Sequence, residues 1–257
     1  MIYVISDLHG YYNEFLKMLE IIEFKDDDSM YVIGDVVDRG PESIKLLQYI
    51  MCQSNIQMIM GNHDQTLLWA VDQNTSLWSD EELIRFWKMH GGRDTYAQFH
   101  ALSDSQKKEI VDFLNTIPYY VILDEFILVH AAIKTKGYED DDIETLMKKQ
   151  THGDLLWEKD YFLTHPLNLR KHIMIFGHTF TLMIRQIRSE RMDSVDIWKD
   201  QCRIGIDCGY LYGGRLAALR LDDLREFYLS PTGMVTIKSA EGRILKRYKI
   251  KGIQMEN

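Results

Sequence analysis

Five short polar clusters carry residue types that hold metal ions and move protons. They are Asp7-Leu8-His9-Gly10, Gly34-Asp35-Val36-Val37-Asp38-Arg39-Gly40, Gly61-Asn62-His63-Asp64, Val129-His130-Ala131 and Gly177-His178-Thr179. Carboxylate and amide oxygens together with imidazole nitrogens are the donors of binuclear hydrolytic sites. Asp7 and His9, two residues apart where the chain turns, can converge on one ion. Asp35 has two oxygens and can bridge a pair of ions, Asn62 offers a neutral oxygen, and His130 and His178 offer imidazoles. The mixed set favours manganese, iron or zinc over calcium or magnesium, which prefer all-oxygen shells, and manganese is the expected cofactor although ligand type alone does not separate it from iron. Two such ions about 3.5–4 Å apart can share a hydroxide and clamp phosphoryl oxygens. Taken singly, an Asp at the end of an apolar run is usually a turn residue and a His there a hydrogen-bonded core edge. Five clusters at five run ends outweigh that bland reading.

The clusters need strands to position them. Apolar runs at 2–6, 30–33 and 56–60 precede the first three clusters, and helical patterns follow at about 13–22, 41–51 and beyond 64. Pro41 is placed as the first residue of the second helix. Short continuous apolar runs alternating with amphipathic helices indicate parallel strands buried on both faces, and such sheets bind ligands beyond their carboxyl ends. The runs 126–129 and 173–176 continue the sheet, each closely followed by a His cluster. Between them, residues 65–117 read as a helical excursion near the site mouth. Capping boxes at Ser79–Glu82 and Ser103–Gln106 and a break at His90-Gly91-Gly92 punctuate it. Its aromatic residues Trp69, Trp78, Phe86 and Trp87 read as core. The segments 65–100 and 134–165 are expected to shape the pocket, and the acid run Glu139–Asp142 reads as a solvated loop or helix start. From 203 onward, short alternating runs with Gly and Pro turns predict an antiparallel second sheet completing a sandwich. Without a low-complexity linker, residues 1–257 read as one domain.

The chain is acidic, with a formal charge of -9. That balance disfavours generic nucleic-acid binding, which needs a basic footprint. The sequence shows neither a signal-like nor a membrane-spanning stretch. Three cysteines without CxxC spacing read as reduced thiols of a cytoplasmic protein. A monomer is expected.

In order and spacing, the five motifs resemble the calcineurin-like metallophosphoesterases. They are most similar to the bacterial and phage members of the phosphoprotein phosphatase branch, over about residues 1–220. The segments Arg203–Gly209 and Gly213–Leu216 are also similar to that branch. The resemblance implies an α/β fold, a four-layer α/β/β/α sandwich of mixed sheets with metals at the sheet edges. It assigns Asp7, His9 and Asp35 to a first ion and Asp35, Asn62, His130 and His178 to a second. It makes His63 the general acid, Asp38 its orienting partner, and Arg39 the bidentate holder of phosphate oxygens beside Asn62. Lys159 stands where the branch usually has a second phosphate-holding Arg, and supplies a point charge instead of a fork. Ser6 replaces a usual Gly, which affects backbone packing more than chemistry.

Two substrates compete. Asp38 points to a serine/threonine or dual-specificity protein phosphatase acting on phosphorylated proteins or peptides, because related dinucleotide hydrolases typically have a small residue there. Gly61–Leu68 is instead similar to the alternative, a symmetrical dinucleoside polyphosphate (diadenosine tetraphosphate) hydrolase. The sequence reading places the protein phosphatase first. A non-catalytic scaffold is disfavoured, since no expected ligand is missing and His63 and Asp38 are present. His90, Tyr210 and Tyr212 are placed near the pocket without a ligand role.

Overall fold

A computed structural model of the protein describes residues 1–72, 80–138 and 140–250. The chain opens with β1 (Ile2–Ile5), α1 (Tyr12–Ile21), β2 (Ser29–Ile33), α2 (Ser43–Met51) and β3 (Ile56–Ile59). Both strand faces are buried, which the continuous apolar runs required. With a side-chain period of two, Val4, Ile33 and Ile59 enter the core shared with the other sheet, while Tyr3, Ile5, Val32 and Met58 pack in the core that includes the helices. The strands pair in parallel, with Ile5 opposite Val32 and Ile33 opposite Ile59. All three carboxyl ends therefore lie along one edge.

The helical excursion comprises α3 (Asn62–Val71), α4 (Asp80–Trp87), a π turn (Lys88–Gly92), α5 (Arg93–His100) and α6 (Asp104–Leu114). The break at His90-Gly91 is a true kink, with Gly91 at φ 109°. The Ser103–Gln106 capping box forms. Ser79, Trp78 and Glu139 lie outside the described residues. Asp142 caps the following helix through its side chain, which accepts from the Thr145 amide.

There follow β4 (Tyr120–Ile122), β5 (Phe126–Val129), α7 (Ile143–Lys148), α8 (His152–Trp157), α9 (Tyr161–Thr164), β6 (Ile173–Phe176), α10 (Thr181–Ile187), β7 (Trp198–Lys199) and β8 (Arg203–Gly205). A 3-10 turn (Tyr210–Tyr212) leads to β9 (Leu216–Arg220), β10 (Glu226–Leu229), β11 (Met234–Lys238) and β12 (Ile244–Lys249). Two mixed sheets result, in the orders β12-β11-β10-β9-β1-β2-β3 and β4-β5-β6-β8-β7. Helices cover their outer faces, giving the expected α/β/β/α layering. Cys52, Cys202 and Cys208 are free thiols. Among the described residues no helix is long and apolar enough to cross a membrane.

Two expectations are corrected. Of the runs from 203 onward, the first (β8) does join the second sheet, but those from 215 on do not. β9 pairs antiparallel with β1, Leu219 opposite Val4, and β10 to β12 extend that first sheet. The second sheet is built by β4 to β8, so β5 and β6 do not continue the first. The physical reason is the free edge of β1: its backbone groups are buried and must be paired. Pro41 is not the first residue of α2, which starts at Ser43 after Glu42. The Glu42 amide donates to the Gly10 carbonyl at 3.0 Å and the Pro41 carbonyl accepts from Gln98 Nε2 at 2.8 Å, so both residues are held by tertiary contacts outside the helix.

Candidate active site

The five clusters meet at the carboxyl ends of β1, β2, β3, β5 and β6. Among the described residues, six of the ten non-glycine residues with positive φ are Asp7, His9, Asp35, Asp38, Arg39 and His178. Left-handed backbone costs free energy in side chains other than Gly, Asn or Asp, and such strain gathers at functional sites. Here it turns the chain sharply enough for neighbouring donors to face one point. Close approach adds a second constraint. A Cβ on Gly61 would lie 2.2 Å from the Asp35 amide nitrogen, and one on Gly177 would lie 2.1 Å from Asp7 Oδ2.

Two donor groups form, Asp7-His9-Asp35 and Asp35-His130-His178, with ligand atoms within 4.8 Å of one another in each. Asp35 belongs to both: its Oδ2 lies 3.7 Å from His9 Nε2 and its Oδ1 lies 3.4 Å from His130 Nε2. The imidazoles are held by backbone carbonyls. His9 Nδ1–H donates to Val37 at 3.0 Å and His130 Nδ1–H donates to Ile33 at 2.9 Å, which turns each Nε2 lone pair toward the site. His130 Nε2 then faces Asn62 Oδ1 at 3.0 Å as well as Asp35 Oδ1, three acceptors converging on one point. His178 Nε2 is buried without a hydrogen-bond partner. Burial drives the carboxyls of Asp7 and Asp35 up, that of Asp35 to about 7, and drives His9 and His178 well below the usual imidazole range. Converging lone pairs and buried carboxylates call for positive charge among them. The residues present fit two divalent cations.

Beside these groups, His63 Nδ1–H donates to Asp38 Oδ2 at 2.7 Å. Burial opposes charge on both, pushing Asp38 up to about 7 and His63 well down. Asp38 also accepts the indole N–H of Trp87, at 3.0 and 2.9 Å to its two oxygens. Arg39 Nη1 donates to His9 Nε2 at 2.8 Å, so its guanidinium must release that imidazole for His9 to bind a cation. Lys159 is exposed and borders the same cleft.

Several residues of the site escaped the sequence reading. Asp64 is fully buried, and its carboxylate accepts from the amides of Asp35, Val36, Val37 and Gly61 at 2.8 to 3.2 Å, fixing the loop after β2. Its place in the third cluster was the available signal. Asp207 lines the cleft, with burial raising its carboxyl to about 6. Trp87, correctly read as buried, had no local signal for its bond to Asp38. Phe86, read as core, lines the cleft, as do His90, Tyr210 and Tyr212.

The chain belongs to the calcineurin-like phosphoesterase family, whose model matches residues 1–204. The family defines a metal-dependent phosphoester hydrolase with a binuclear site. Among curated relatives, the symmetrical bis(5'-nucleosyl)-tetraphosphatase of Chromobacterium violaceum is 24% identical, over 94% of this chain and 99% of that protein. The enzyme of the same name from Buchnera aphidicola subsp. Baizongia pistaciae is 24% identical over 88% of this chain and 96% of its own length. A crystal structure provisionally described as a diadenosine tetraphosphatase superposes with a TM-score of 0.60 at 16% identity, covering 89% of this chain and 92% of its own; it speaks for the fold.

Proposed function

We propose that this phosphoesterase hydrolyses dinucleoside polyphosphates symmetrically, reversing the order in which the motifs alone ranked the two substrates. The observation that carries the reading is similarity along nearly the whole chain to two enzymes of that name. Asp7, His9 and Asp35 would hold one cation, and Asp35, Asn62, His130 and His178 a second, with manganese the first metal to supply. Bound there, the ions supply Lewis acidity that activates water and neutralises phosphoryl charge. Arg39, freed from His9, would take two phosphate oxygens in a fork, with Asn62 beside it, and Lys159 would add a point charge. His63, held by Asp38 and protonated on Nε2, would donate to the leaving oxygen. The substrate is a free nucleotide and the enzyme a cytoplasmic monomer in this reading.

Asp38 is the observation that favours the second reading, a serine/threonine protein phosphatase, because its bond to His63 helps most when the leaving group is a poor alkoxide. The test is side-by-side turnover of diadenosine tetraphosphate and a phosphothreonine peptide by metal-stripped, manganese-reconstituted protein. Faster release of two ADP per dinucleotide is expected; faster turnover of the peptide overturns the proposal.

A further inference from the structure

Two aromatic pairs border the cleft outside the donor cluster. Phe86 and His90 have ring centroids 4.1 Å apart at 31°. His90 Nδ1–H donates to the Phe86 carbonyl at 2.7 Å, which fixes the imidazole plane. Phe180 and Tyr212 have centroids 5.1 Å apart at 38°. All four line the cleft that holds Asp7, His9 and Asp35.

The pairs are carried by different sheets. The first is tied to the loop after β2, where the Arg39 amide donates to the Gly91 carbonyl at 2.9 Å. The second follows the second sheet: Phe180 stands two residues after His178, and Tyr212 follows Asp207. The 3-10 turn of Tyr212 is bounded by Gly209 at φ 68° and Gly213 at φ 80° and holds the phenol 63% exposed. A phenol left in water at the mouth of a charged cleft offers a π face with an amphipathic edge. The donor cluster, Arg39 and Lys159 line the same cleft, a setting for a polyanion. An occupant matching this lining combines several anionic groups with flat rings for the two aromatic pairs.

We propose that Phe86–His90 and Phe180–Tyr212 are two stacking subsites, one for each base of a dinucleoside polyphosphate. This rests on the proposed function and adds how that site recognises its substrate. Stacking on π faces tolerates any base, so the inference specifies nucleosides as a class and not adenine alone.

The test compares KM for diadenosine tetraphosphate with KM for inorganic tripolyphosphate, which has no bases, in wild type, Tyr212→Ala, Phe86→Ala and Tyr212→Phe. Loss of one stacked base corresponds to a roughly 5- to 150-fold loss of binding. The ratio of the two KM values is expected to rise by that factor in each alanine variant and to stay near wild type in Tyr212→Phe, which keeps the ring. An unchanged ratio in both alanine variants, in protein that cleaves the dinucleotide, overturns the subsites and leaves the proposed function standing. If wild type does not cleave the dinucleotide, the proposed function fails, and calorimetric ADP binding decides the subsites separately. Weaker ADP binding by Tyr212→Ala than by wild type supports them, and equal affinity overturns them.

Discussion

The seven-stranded sheet has two halves that differ both in their hydrogen-bond ladders and in their chemistry. β1, β2 and β3 run parallel, so their carboxyl ends share one edge and deliver Asp7, His9, Asp35, Asp38, Asn62 and His63 to it. β9 to β12 run antiparallel through tight connections, with Gly233 at φ 79° and Gly242 at φ 78°. Their ends alternate between edges, and none contributes to either donor group. Left-handed Asp, His and Arg residues at the parallel ends aim side chains; left-handed glycines at the antiparallel ends only reverse the chain. Parallel topology thus collects chemistry, while the antiparallel extension covers an edge and contributes core.

The comparison predicts catalytic losses from one half and stability losses from the other. The largest effect is expected from His63→Ala on an alkyl phosphate, a fall in kcat of about 10²–10⁴. The fall should be smaller on a dinucleoside tetraphosphate, whose nucleoside diphosphate leaving group depends less on the proton that His63 would donate than an alkoxide does. Steady-state kinetics on both substrates check this, and equal losses would remove His63 from the role of acid. Next, Asp35→Asn removes the carboxylate common to both donor groups. Its cost in metal affinity should exceed the roughly 10- to 100-fold typical of losing a supporting partner, read as bound metal per chain by atomic spectroscopy as well as rate.

In the antiparallel half, Tyr228 is buried in β10, accepting from the Ile197 amide at 3.1 Å and donating to Glu226. Tyr228→Phe leaves that amide unsatisfied and should cost about 1–3 kcal/mol in urea unfolding, with kcat unchanged. A large loss of kcat would break the division between the halves. The smallest effect belongs to the turn between β9 and β10, where Arg220 holds the Asp223 carboxyl below its usual range. A carboxyl lowered in the folded state contributes stability above its unfolded pKa and loses it as pH falls through the folded value. Asp223→Asn should therefore cost about 0.2–1 kcal/mol near neutral pH, the range for a solvent-exposed pair, and nothing in strong acid. Thermal melts at both pH values check the sign.

Much of this was legible beforehand because local rules apply locally. Continuous apolar runs defined β1, β2, β3, β5 and β6 to within a residue or so, and the clusters at their ends named the donor set that the fold brings together. The pairing of β9 with β1 was not legible, since an alternating run states which faces it buries and not which edge it joins. Similarly, Phe86 and Trp87 are adjacent on one helix, and periodicity could not tell that one faces the cleft while the other donates to Asp38.

The sequence by itself determined which atoms are available as donors and where the chain turns sharply, because both are properties of residue type and short-range sterics. Only the tertiary structure decided that Asp35 lies between His9 and His130, that Asp64 clamps the loop presenting it, and that two aromatic pairs from different sheets border one cleft. Those relations depend on how two sheets pack, and packing is set by the summed burial of residues far apart in the chain.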